Sequence, residues 1–100
     1  MLRRVKAEDG SIKAALAVEI RRAVGALGVT QQEAARRMGL TQPKVSRVLA
    51  GDVFSFSERK LMDCLSRLGY DIEISIRPAS ASPGRLTLET EGDAGRGREE

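Results

Sequence analysis

From Ser11 onward, apolar residues recur every three or four positions: Ile12, Leu16, Ile20, Val24 and Leu27. That spacing puts them on one face of a helix, with Arg21 and Arg22 on other faces and Gly28 as a stop. Thr30 and Glu33 have capping-box spacing, which predicts a short second helix with Ala34, Ala35 and Met38 inward and Gly39 at its end. A third helix runs through "QPKVSRVLAG" to Gly51, with Val45, Val48 and Leu49 as its apolar face. "DVFSFS" reads as a loop. Ser57 then caps a fourth helix with Leu61, Met62, Leu65 and Leu68 inward, and Phe56 and Leu61 are spaced as a hydrophobic staple. Gly69 ends it.

The period then falls to two. Tyr70, Ile72, Ile74 and Ile76 alternate with Asp71, Glu73, Ser75 and Arg77, the pattern of a β-strand with one apolar face, and Pro78 closes it. Residues 1–10 are polar without periodicity and read as a flexible arm. Residues 79–100 read as a flexible tail, with a weak strand at 85–91 and a disordered end, "GDAGRGREE". The expected fold is mainly α: a four-helix domain over 11–69, followed by a strand at 70–78.

Composition narrows the chemistry. One hundred residues suffice for one small domain, for which oligomerisation is a reasonable source of added stability. Seventeen basic against fourteen acidic residues leave a formal charge of +3, so the placement of charge matters more than its sum. There is no histidine. That removes triad-type nucleophilic sites and the usual zinc sets, so no enzyme activity, metal or cofactor is expected. The lone Cys64 can form no internal disulfide and reads as a buried small side chain. No apolar run approaches the roughly 20 residues of a membrane span, and "MLRRVK" does not begin a signal peptide, so the expected compartment is the cytoplasm.

Pro43 poses a problem, because proline inside a helix costs roughly 3 kcal/mol. The cost vanishes if Thr41 caps the third helix, since the first four N–H groups of a helix have no intrahelical partner. In that register the second and third helices, joined at Gly39, form a helix-turn-helix unit. Ala35 is the small residue at their contact, Gly39 opens the turn, and Leu40, Val45 and Val48 point back to the domain. The exposed start of the third helix then carries Gln42, Pro43, Lys44, Ser46 and Arg47. Glutamine can pair bidentately with adenine, and arginine or lysine with guanine. Gln31 and Gln32, at the start of the preceding helix, can donate to phosphate, and Thr41 and Arg36 lie where phosphates would run. Between residues 30 and 51, Arg36, Arg37, Lys44 and Arg47 oppose Glu33 alone.

Residues 30–51, "TQQEAARRMGLTQPKVSRVLAG", resemble the DNA-binding motif of lambda-repressor-like, Xre-type regulators, and the likeness extends over about 11–69. The resemblance implies an all-helical domain that docks as a dimer on palindromic double-stranded DNA, with the third helix in the major groove. It also implies that Gln31 braces Gln42. Together with "FSFSERKLMDCLSRLGYDIEISIR", the motif is similar to HigA-type antitoxins. Those bind a small RelE-like ribonuclease toxin and repress their own promoter. A stand-alone Xre-type regulator, and a protein-binding neutraliser with secondary DNA contact, are the competing expectations.

A lone strand leaves its backbone unpaired. Its partner is either 85–91, in a hairpin, or the same strand of a second copy. The second option is favoured, because it yields the dimer that palindromic DNA requires. In that arrangement Tyr70, Ile72, Ile74 and Ile76 form the dimerisation strand, and the isoleucines pack over Leu61, Leu65 and Leu68.

Overall fold

The structure, a computed structural model, describes residues 2–6 and 9–91. Among these the order is β1 (Leu2–Lys6), α1 (Asp9–Leu27), α2 (Gln31–Met38), α3 (Gln42–Leu49), α4 (Glu58–Arg67) and β2 (Thr87–Glu91). The expected four-helix, mainly α architecture is therefore present, and a strand lies towards the C-terminus at Thr87–Glu91, not over 70–78.

Local chemistry sets the helix boundaries. Thr30, Thr41 and Ser57 stand in extended conformation, and each hydroxyl accepts from the backbone N–H three residues ahead, at 3.1, 3.4 and 3.0 Å. Each such cap is worth about 1 kcal/mol. The C-termini of α2, α3 and α4 end alike. Leu40 N–H donates to the Ala35 carbonyl, Asp52 N–H to Arg47 and Tyr70 N–H to Leu65, each across a left-handed glycine: Gly39, Gly51 and Gly69. This is the Schellman closure, which satisfies orphan carbonyls and turns the chain sharply.

One core joins the four helices. Leu16, Ile20 and Val24 of α1 meet Ala34 and Met38 of α2, Val45 and Val48 of α3, and Leu61, Cys64 and Leu65 of α4. Val53 and Phe56 of the α3–α4 loop fill in beside them. Burying a side chain the size of Ile20 or Met38 contributes about 1.5–3 kcal/mol. Leu27 departs from the expected inward face and is exposed, while Ala17 and Ala23 are buried. At 3.6 residues per turn, a stripe followed over about four turns drifts off the core.

Two sequence expectations change. The arm over 1–10 contains a strand, and α1 starts at Asp9 rather than Ser11. β1 pairs antiparallel with β2, with Leu2 opposite Glu91, Arg4 opposite Glu89 and Lys6 opposite Thr87. The expected weak strand at 85–91 thus exists, with a partner from the other end of the chain. Among the described residues, 70–79 form no ladder, and β2, the candidate hairpin partner, pairs with β1 instead. Leu61, Leu65 and Leu68 lie in the domain's own core, whereas Ile74 and Ile76 are 73% and 90% exposed. Within one chain, Ile74 and Ile76 therefore do not cover those leucines. The disordered end expected for "GDAGRGREE" lies outside the described residues. Among the described residues, no helix is long and apolar enough to cross a membrane.

Candidate nucleic-acid interface

The two faces of α3 divide sharply. Val45 and Val48 are buried, Leu49 is half-buried, and Gln42, Pro43, Lys44, Ser46 and Arg47 are all exposed. Pro43 is the second residue of α3, behind the Thr41 cap, so its missing N–H falls among the orphan positions. The proline marks the start of the helix and does not break it.

Around α3, Gln31, Gln32, Thr41 and Arg36 are exposed, Ala35 is buried and Leu40 is half-buried. Gly39 adopts φ +71°, and a Cβ there would also lie 3.2 Å from Arg67 Nη1. Backbone geometry and the arginine laid over the turn both favour glycine.

A family described as a helix-turn-helix domain matches residues 2–77. A solved structure named "Putative XRE Family Transcriptional Regulator" is 34% identical, with 78% of this chain and 90% of that chain covered and a TM-score of 0.73. The chain belongs to the Xre family of helix-turn-helix regulators. That is a DNA-binding class. No curated relative matches the chain.

In this Xre-family domain, charge around the motif is more balanced than the sequence suggests. Glu33 does not complete the capping box as a side-chain acceptor. Its carboxylate accepts from Arg36 at 3.0 and 2.6 Å and from Arg37 at 2.8 Å. These bonds, Arg36's first, hold the Glu33 carboxyl down at about 2 and raise Arg36 above the usual arginine range. Arg36, placed at the phosphates by sequence, thus has a carboxylate partner of its own.

Arg47 is also engaged. Its Nη2 donates to Ser55 Oγ at 2.9 Å, its Nε lies 3.7 Å from Asp52 Oδ2, and its guanidinium stands 5.8 Å from the Phe56 ring centre. The Schellman turn at Gly51 brings Asp52 back beside it. Arg47 therefore leans on the α3–α4 loop, apart from Gln42 and Lys44 at the start of the helix.

Three supports of α3 were not read from sequence. Arg21 Nη1 donates to the Leu49 carbonyl at 3.1 Å, capping the C-terminus of α3 from α1. Lys13 Nζ donates to the Phe54 carbonyl at 3.3 Å and ties the following loop to the same helix. Arg67 covers Gly39 while its Nε donates to Asp63 at 3.0 Å. The place of Arg21 off the apolar stripe of α1 shows only that it faces away from the core, and nothing in the sequence pairs it with the Leu49 carbonyl. Among the described residues, no three histidine, cysteine, aspartate or glutamate side chains gather as a metal site. Burial raises the Cys64 thiol, as suits a core residue.

Proposed function

We propose that this protein is a sequence-specific repressor that binds a palindromic double-stranded DNA operator as a homodimer in the cytoplasm. The observation that carries this reading is the exposed, proline-stiffened start of α3, with its opposite face locked into the core by Val45 and Val48. Gln42 and Lys44 project from that end and read base edges, with Ser46 and Arg47 one turn further along. Gln31, Gln32 and Thr41 border it at two helix N-termini, suited to phosphate. Arg36 reaches phosphate only by sharing itself with Glu33. Residues 70–78 form the dimer contact, placing two reading helices on half-sites about 34–36 Å apart.

The partner reading is more specific. Residues 54–77 resemble the fourth helix and strand of HigA-type antitoxins, and on that likeness the protein neutralises a small RelE-like ribonuclease and represses its own promoter. A stand-alone regulator is the second reading, favoured by the similar solved protein, whose name speaks of transcriptional regulation alone. Neither reading assigns a catalytic role to any residue.

The test is binding to the protein's own promoter across a salt series. A repressor holds one palindromic site far more tightly than random DNA of equal length, with affinity falling steeply as salt rises. Equal affinity for promoter and random duplex would refute the operator reading. Co-expression with the neighbouring small reading frame separates antitoxin from stand-alone regulator, by whether growth arrest is relieved and the two chains co-purify.

A further inference from the structure

The segment after α4 is held at one end and bare beyond it. Tyr70 N–H closes the α4 Schellman turn on Leu65 at 3.1 Å, and the Tyr70 side chain packs against the core. Past it, Ile72, Ile74 and Ile76 become progressively more exposed, at 39%, 73% and 90%. Asp71, Glu73, Ser75 and Arg77 are exposed on the alternate positions, and Pro78 follows. Backbone hydrogen-bonding groups and a ridge of β-branched side chains therefore lie open together, the condition under which a strand pairs edge to edge.

We infer that this segment forms a two-fold antiparallel ladder with a second copy of the chain, centred on Ile74, with Asp71 opposite Arg77 of the other copy. The inference rests on the dimer reading above and adds its register. In a two-fold antiparallel pair, opposite positions have a constant sum, and only even sums keep isoleucine facing isoleucine. Centring on Ile72 sets Asp71 against Glu73, and centring on Glu73 sets that carboxylate against its own copy. Like charges directly opposite destabilise a sheet. Centring on Ser75 pairs Glu73 with Arg77 but leaves Asp71 opposite Ala79 and Ile72 opposite Pro78. Centring on Ile74 pairs the whole span from Tyr70 to Pro78, matching Ile72 with Ile76, Ile74 with itself, Glu73 with Ser75 and Asp71 with Arg77.

The proline fits the same register. If the Ile74 pair is of the non-hydrogen-bonded kind, alternation makes the Tyr70–Pro78 pair non-hydrogen-bonded too, so the missing N–H of Pro78 faces outward. Side chains approach more closely in such pairs, so the isoleucine contacts are the tight ones. Arg77 Nη1 now donates to Ser75 Oγ at 3.0 Å, an exposed bond that it can exchange for a carboxylate.

Charge reversal tests the register. Asp71→Arg and Arg77→Asp, each alone, place like charges at both ends of the ladder and weaken the dimer roughly tenfold or more by sedimentation equilibrium. Mixed in equal amounts, the two variants regain a dimer that native mass spectrometry identifies as mixed. Both residues are exposed, so an unchanged circular dichroism spectrum verifies the fold. If Arg77→Asp weakens the dimer but Asp71→Arg does not, the ladder is not centred on Ile74 and the inference is overturned. Full dimerisation of both single variants overturns it too. Ile74→Lys separates the two levels: a monomer there, with both charge variants dimeric, leaves the strand contact standing and removes only the register. A dimeric Ile74→Lys protein refutes the strand contact itself.

Discussion

The Arg47 guanidinium sits among a hydroxyl, a carboxylate and an aromatic ring, and one of the three, the carboxylate, competes with DNA. Ser55 and Phe56 fix its direction at no cost in charge. Asp52, 3.7 Å away, offers a negative charge that stands in for phosphate. An exposed pair of this kind is worth about 0–1 kcal/mol. Asp52→Asn should therefore tighten DNA binding by up to about fivefold at low salt, less at high salt, in a fluorescence-anisotropy titration. Unchanged affinity would mean that Arg47 does not trade Asp52 for DNA. Glu33 gives a second residue-scale prediction, in stability. Its folded-state carboxyl titrates at about 2, below its ordinary value of 4.5, because it accepts from Arg36 and Arg37. A depressed carboxylate contributes its stability above the unfolded value and loses it as pH falls through the folded one. The melting-temperature advantage of wild type over Glu33→Gln should be full above about pH 5 and shrink towards pH 2.

Helices and their stops were legible because their causes are local. Thr30, Thr41 and Ser57 lie three residues from the N–H groups they accept, and Gly39, Gly51 and Gly69 lie one residue from the closing donors. The same locality exposed the reading end of α3, since Pro43 and Thr41 fix the register from which Val45 and Val48 turn inward. What sequence missed is non-local. β1 pairs with β2 from opposite ends of the chain, and "LRRVK" alone shows no alternation to reveal it. Arg21 reaches Leu49 across 28 residues, and nothing in its own helix points to that carbonyl. This contact supplies an element-scale prediction, since a cation at a helix C-terminus satisfies an orphan carbonyl and opposes the dipole. Arg21→Gln should lower stability in urea by about 0.5–1 kcal/mol and weaken operator binding by loosening α3. Arg59→Gln is the control, because it removes the same charge from an exposed position on α4, away from α3. Equal effects from both substitutions would show that general charge, and not the seating of α3, is being read.

At the scale of the whole molecule, the proposed dimer is what would give a domain this small its specificity. One α3 presents few base-reading side chains, and each good bidentate contact gives only about 1–3 kcal/mol of discrimination. Two copies on one palindrome add their contacts and their phosphate neutralisation. The slope of log affinity against log salt is set by the number of phosphates engaged, at about −0.9 per phosphate. Ile74→Lys should therefore do more than lower affinity. With one domain bound in place of two, the salt slope should fall to about half, while the circular dichroism spectrum stays that of the wild-type domain, because Ile74 is 73% exposed and outside the core; melting should fall only by what association contributed. Operator and random-sequence affinities should also converge, since the second half-site is no longer held by the first. A monomeric variant that kept the full slope would place all the phosphate contacts within one domain. The strand would then serve some task other than joining two readers on one site.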